Sequence, residues 1–207
     1  MKLVVAVLTG LRPALLRRTL DSFALHHPDV WDAAARVVHH NTGDRDTAEV
    51  LDRYEWDVRN TVHDLLPIGE ASQRLGCAVR QVDASYVLRL EDDWQSHPGA
   101  WLEDAKQLLE QTDQVRLWKG KTSRRCLVCR RPLSWSRAGK HLVSGHAHYT
   151  HTPSLMKTGT FLRLFPYKDE REAMQKFHGR PVAVHVPGVF THLGGGQESL
   201  KRNGGRR

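Results

Sequence analysis

Residues 3 to 8, LVVAVL, form an unbroken apolar run, the pattern of a parallel strand covered on both faces. The next stretch, RPALLRRTLDSFAL, changes period: Leu16, Leu20 and Phe23 recur on one helical face, and Pro13 stands near the start, where its missing N–H is harmless. The same strand, loop and helix return in ARVVHHNTGDRDTAEVLDRY, with a strand through Val37 and Val38 and a polar turn from Asn41 to Asp46. IGEASQRLGCAVRQV places Ala71, Leu75, Ala78 and Val82 at helical spacing, and SYVLRL returns to strand. Beyond Ser96 and Pro98 a helix carrying Trp101, Ala105 and Leu108 is expected, then a strand at QVRLW. The remainder is less regular: HYTHTPSLM as strand into helix, DEREAMQKFHG as a short helix ended by Gly179, and PVAVHVPGVFTHLGGG as a strand and glycine-rich turn.

Alternating strands and helices predict an α/β fold, with a mostly parallel, doubly wound sheet in the first half. In such sheets ligands bind outside the carboxyl ends of the strands, where TGLR, NTGDRD and EDDW all fall. A chain of 207 residues suits one domain, read as residues 1–199 with a basic tail at 200–207. No internal repeat interrupts it.

Composition narrows the compartment and the partners. The opening MKLVVAVLTG is too short in its apolar part for a secretory signal, no stretch reaches the length of a membrane span, and three cysteines suit a reducing compartment. These features place the protein in the cytoplasm. Thirty-one Lys plus Arg against twenty-three Asp plus Glu leave a net charge of +8, a surface that favours polyanions.

The segment LRLEDDWQ sets Glu91, Asp92 and Asp93 side by side where an apolar strand ends. A strand leaving the core ends in acids for no further reason in many proteins. Three adjacent carboxylates nevertheless repel one another, and a divalent cation among them relieves that repulsion.

In the order of these motifs the chain resembles the GT-A-fold glycosyltransferases, most closely small family-2-like enzymes, from Lys2 to about Ser199 with residues 119–145 unmatched. VLTGLRPALLRRTLDSF looks like the family's first strand and helix, which implies nucleotide contacts at Thr9, Gly10 and Arg12. NTGDRDT sits where the family contacts base and ribose, implying Asn41, Asp44 and Asp46, with Asn41 standing where an aspartate is common. Arg74, in IGEASQRLG, becomes a phosphate or ribose partner, and YVLRLEDDW takes the place of the family's D-x-D-type motif. GVFTHLGGG is similar to a late strand with a metal-binding histidine. HYTHTPSLM is similar to a segment ending in Asn-Pro in many relatives, with Thr152 in place of the asparagine.

The resemblance implies a nucleotide-sugar donor, UDP-linked, and Mn²⁺ or Mg²⁺ held by Asp93 and His192, with Glu91 or Asp92 directed to water, ribose or sugar. The chemistry is coherent: a diphosphate leaves as the glycosidic bond breaks, and a hard cation neutralises its oxygens. An inverting enzyme also needs a base for the acceptor hydroxyl. The family's base sits on a short helix, which implies Glu170 or Glu172 ahead of Asp169, although acids in a helix's first turn are also favoured by its dipole.

The unmatched segment has its own pattern. Cys126-x2-Cys129 followed by His141 and His146 resembles a structural Zn²⁺ site, with Pro132 and Gly139 fitting a hairpin better than a finger's helix. The alternative is that the histidines, His148 and His151 included, line a polar strand. Lys119, Lys121, Arg124, Arg125, Arg130, Arg131, Arg137 and Lys140, with Trp118 and Trp135 among them, have the profile of a nucleic-acid surface and also of a solvated basic loop. Small phage-encoded enzymes resembling this family glycosylate hydroxymethylated pyrimidines, which points to DNA as acceptor, flipped or single-stranded, with a glycan or small hydroxyl compound as the alternative. The competing expectation is a non-catalytic, zinc-containing nucleic-acid-binding protein in which EDD is only a strand end. A nucleotidyltransferase would need a glycine-rich, lysine-containing loop near the first strand, and neither G-x-G-x-x-G nor a P-loop occurs.

Overall fold

The computed structural model describes residues 2–118 and 124–193. Its elements are β1 (Leu3–Thr9), α1 (Pro13–His26), α2 (Pro28–Ala33), β2 (Ala35–His40), α3 (Arg45–Leu51), β3 (Val58–Thr61), α4 (Ile68–Val79), β4 (Tyr86–Glu91), β5 (Trp94–Ser96) and α5 (Leu102–Leu108). They continue as β6 (Gln114–Arg116), β7 (Ser136–Ala138), β8 (His141–Ala147), β9 (Ser154–Lys157), α6 (Thr158–Leu162), α7 (Glu170–Lys176), β10 (Arg180–Val184) and β11 (Phe190–His192). The tail at 200–207, the glycines at 194–196, Lys119 and Lys121 fall outside the described residues.

Nine strands form one sheet in the order β3-β2-β1-β4-β9-β6-β10-β8-β7. The first four run parallel, β9 is antiparallel to both β4 and β6, and β10 returns parallel to β6. All seven residues of β1 are buried because the sheet is covered twice. Leu3, Val5 and Val7 pack with Leu16, Leu20 and Phe23 of α1, Val50 and Leu51 of α3 and Ala105 and Leu108 of α5. Val4, Ala6 and Leu8 meet Ala71, Leu75 and Ala78 of α4 and Phe161 of α6 on the other face. The strand's period of two thus feeds two cores.

The chain winds outward from β1 in both directions, to β2 and β3 on one side and to β4 on the other. That reversal opens a crevice at the carboxyl ends of β1 and β4. Gly10 and Asp92 are among the residues that line it.

Several elements depart from the sequence expectation, among them Ser154–Lys157, expected to lead into a helix and found as strand β9 between β4 and β6. The short α2 and β3 were not separated from their neighbours, being too brief to show a period. PVAVHVPGVFTHL is two strands: β10 joins the main sheet, whereas β11 pairs antiparallel with β5 in a two-stranded sheet. Pro187, which has no N–H to give a ladder, lies in the break. Finally, β7 and β8, drawn largely from residues 119–145, complete the edge of the main sheet against β10.

Candidate active site

Asp92 organises the loop between β1 and α1. It is 2% exposed, and its Oδ2 accepts hydrogen bonds from Gly10 N at 3.1 Å and Thr9 Oγ1 at 3.3 Å, while its Oδ1 accepts from Arg12 Nη2. The other arm of the same guanidinium donates to Asp93 Oδ2 at 2.5 Å. Burial by itself would lower the Arg12 pKa; the neighbouring Asp92 and Asp93 outweigh it and raise it. One arginine therefore carries two adjacent buried carboxylates.

The second side of the site is late in sequence. His192 Nε2 lies 3.2 Å from Asp93 Oδ2, and its ring leans on Trp94 with centroids 4.9 Å apart. The pairing of β11 with β5 places His192 directly opposite Trp94, and Leu193 N donates to Asp93 O at 2.8 Å. Asp93 Oδ1 is buried and unpartnered among the described residues. A free carboxylate oxygen beside a half-exposed imidazole is a donor set that fits Mn²⁺ or Mg²⁺, the remaining ligands then coming from a diphosphate.

Thr9, Gly10, Arg12, Asn41, Glu91 and Asp92, all implicated from sequence, line one cleft of about 150 Å³ with Leu8, Leu65 and Ile68. Leu65 and Ile68, 63% and 39% exposed, were not singled out; an exposed apolar pair in DLLPIGE was the available signal. Asn41 explains its own identity. Its Nδ2 donates to Leu66 O at 3.0 Å and its Oδ1 accepts from Leu66 N at 3.3 Å, a two-way clamp that an aspartate could not make.

Asp44, Asp46 and Arg74 stand apart from this lining. Asp44 caps α3 by accepting from Thr47 N at 2.9 Å; burial would raise its pKa, but hydrogen bonds from Thr42 and Thr47 hold it well below the usual carboxylate range. Gly43, at φ 61°, makes the turn that precedes it. Asp46 and Arg74 are exposed.

Glu91 is the carboxylate of unusual state. Its Oε1 accepts from Arg89 Nη2 at 2.9 Å, and Arg89, 1% exposed, also donates to His151 O at 2.9 Å. Burial pushes Glu91 up to about 7, Arg89 opposes this, and Asp93, Asp92 and Glu170 add to the rise. The buttress of Arg89, Tyr149 and His151 behind Glu91 was not anticipated as a unit, because its members are distant in sequence.

The three acids of α7 have separate tasks. Asp169 Oδ1 accepts from Glu172 N at 2.9 Å as the helix cap, and Glu172 Oε2 accepts from Lys168 N at 2.7 Å. Glu170 is exposed and its side chain makes no hydrogen bond among the described residues, while its charge is felt at Glu91.

The expected Cys/His set is regrouped. Cys126, Cys129 and His146 converge with His178, whereas His141 joins Asp104 and His185. On β8 the five-residue step from His141 to His146 spans roughly 16 Å and reverses the face, where a helix would have brought the two together. Arg124, Arg125, Arg130, Arg131 and Arg137 are exposed, and Lys140 pairs with Asp104 at 2.7 Å.

Solved structures share this arrangement of elements. The crystal structure of S. aureus TarS superposes with a TM-score of 0.59 at 14% identity, covering 98% of this chain and 38% of TarS. The chain shares with them an α/β fold, a large and mostly parallel central sheet flanked by helices. TarS 1-349 in complex with UDP gives a TM-score of 0.57 at 15% identity over 92% of this chain and 59% of that one. The complex with UDP-GlcNAc gives 0.56 at 13% identity over 95% and 61%. The chain thus spans between about two fifths and three fifths of the length of these structures. No family model and no curated protein sequence matches it. Among the described residues no helix is long and apolar enough to cross a membrane.

Proposed function

We propose that the chain is a nucleotide-sugar-dependent glycosyltransferase whose donor, a UDP-sugar, occupies the cleft that Gly10 and Asp92 help to line. The observation that carries this reading is the convergence of Thr9, Gly10, Arg12, Asn41, Glu91 and Asp92 on one cleft at the sheet's switch point. The similarity to TarS structures holding UDP and UDP-GlcNAc supports it.

Asp93 Oδ1 and His192 would hold Mn²⁺ or Mg²⁺, which when bound supplies neutralising charge to the departing diphosphate. Arg12 adds a fixed positive charge at the same end of the cleft, and Leu65 and Ile68 give an apolar wall for a base or sugar face. Glu91, held by Arg89, is placed to hydrogen-bond a donor hydroxyl. Glu170 takes the acceptor proton, being the acid of α7 that capping leaves free. The acceptor is read as a hydroxymethylated pyrimidine in DNA, on the strength of the exposed arginines at 124, 125, 130, 131 and 137 and the net charge of +8.

Calorimetric titration with UDP and with UDP-glucose, with and without Mn²⁺, tests the donor site. Metal-dependent binding that Asp93→Ala abolishes is expected. Binding of neither ligand, or equal binding by Asp93→Ala, overturns the assignment. Transfer of labelled sugar to hydroxymethylated but not unmodified DNA is the corresponding result for the acceptor.

A further inference from the structure

We propose that Cys126, Cys129, His146 and His178 form a structural zinc site that ties the basic segment to the end of α7. This site is separate from the donor cleft and does not depend on the activity assigned to it. Two thiol sulfurs and two ring nitrogens lie within 4.8 Å of one another. A tetrahedral zinc, with Zn–S near 2.3 Å and Zn–N near 2.0–2.1 Å, holds such atoms roughly 3.3–3.8 Å apart, so a small contraction closes the shell.

The backbone prepares both pairs of ligands. Cys126 N donates to Arg131 O and Arg130 N to Cys126 O, each at 2.9 Å, and Leu133 N donates to Arg124 O at 2.9 Å. These bonds fold the Cys-Leu-Val-Cys turn tightly between two antiparallel stretches, with Arg125 bridged to Pro132. Arg130, the residue after Cys129, is at φ 61°, the one non-glycine residue in the left-handed region among those described. A strained residue persists where its surroundings demand it, and here it turns the chain immediately behind the second cysteine.

The histidines arrive from elsewhere. His146 is on β8 and His178 follows α7, and Gly179 N donates to Ala147 O at 3.2 Å, locking the two segments side by side. Their rings meet edge to face with centroids 4.6 Å apart, and Cys129 Sγ lies 3.3 Å from His146 Nε2. Among the described residues His178 Nε2 is buried with no hydrogen-bond partner, an independent sign that something is missing from its surroundings. Both cysteines are free rather than bridged.

The four ligands come from three stretches of chain and leave no open position, the signature of a structural rather than catalytic zinc. The turn has little else to hold it, since between residues 124 and 138 only Cys126 and Leu133 are buried. A metal cross-link supplies what so small a core cannot. It also presents Arg124, Arg125, Arg130 and Arg131 as a fixed group.

The test uses the full chain, purified without chelator or metal-affinity resin, with zinc measured by mass spectrometry and cobalt reconstitution followed by absorbance. About one zinc per chain is expected, with a thiolate-to-cobalt charge-transfer band and tetrahedral d–d bands after exchange. Cys129→Ser and His178→Ala should each lower bound zinc at least about tenfold, whereas His141→Ala should retain it. Zinc near zero with no cobalt–thiolate band overturns the proposal, as does a His141→Ala chain that loses the metal while His178→Ala keeps it. The cobalt spectrum is read on the unmutated chain, so a variant that fails to fold does not decide the outcome.

Discussion

At the scale of single residues, three adjacent acids do three different things. Asp92 accepts from Gly10, Thr9 and Arg12, so Asp92→Ala strands buried donors. We expect it to lower unfolding free energy in urea by roughly 2–3 kcal/mol. Asp93 keeps an unpartnered oxygen, so Asp93→Ala should act on donor binding more than on the fold. Glu91 is the one that titrates near neutrality. Its folded value of about 7 lies above the ordinary 4.5, so the native state keeps a proton that the unfolded chain has lost between those values. Its stabilising contribution is therefore complete below about 4.5 and is lost as pH rises through about 7. Thermal unfolding of the ligand-free chain should show wild type losing stability over that window relative to Glu91→Gln; parallel pH profiles would contradict the shift.

At the scale of elements, α4 and α7 are informative. Gly69 sits where a Cβ would overlap the carbonyl oxygens of Tyr167 and Lys168, so the approach of that segment to α4 requires glycine. Gly69→Ala should destabilise the chain by roughly 1–3 kcal/mol in denaturant titration and displace the start of α7. Within α7 the acids separate experimentally. Asp169→Ala should remove about 1 kcal/mol of stability through the lost cap. Glu170→Gln should change stability by less than about 0.5 kcal/mol and eliminate turnover, as measured by release of UDP in the presence of acceptor. A fully active Glu170→Gln enzyme would move the base elsewhere.

At the scale of the molecule, β11 joins the end of the described chain to its beginning. Phe190 is fully buried, stacks on Phe23 with centroids 5.9 Å apart and pairs opposite Ser96, while His192 two residues on faces Asp93. Phe190→Ala should lower stability by roughly 3–5 kcal/mol and weaken Mn²⁺-dependent UDP binding as well, because the cavity loosens the strand that aims His192. Calorimetry and denaturation on the same preparation check both effects. Loss of stability with undiminished metal-dependent binding would show that β11 does not position the site.

The parallel half of the sheet was legible in the sequence because its signals are local. LVVAVL, the helical spacing of Leu16, Leu20 and Phe23, and the burst of acids after SYVLRL each follow from a backbone period and from burial on two faces. Those same periods place TGLR, NTGDRD and EDDW at carboxyl ends of strands, and the family resemblance singled out Thr9, Asn41 and Glu91 within them, so most of the cleft lining could be named from sequence. What only the tertiary structure decided is how side chains distant in sequence meet. Arg12 bridging Asp92 and Asp93, Arg89 holding Glu91 and His151, the division of labour among Asp169, Glu170 and Glu172, and the exchange of His141 for His178 all depend on packing between elements. A one-dimensional pattern reports which face a residue occupies along its own element; it carries no information on which other face will be pressed against it.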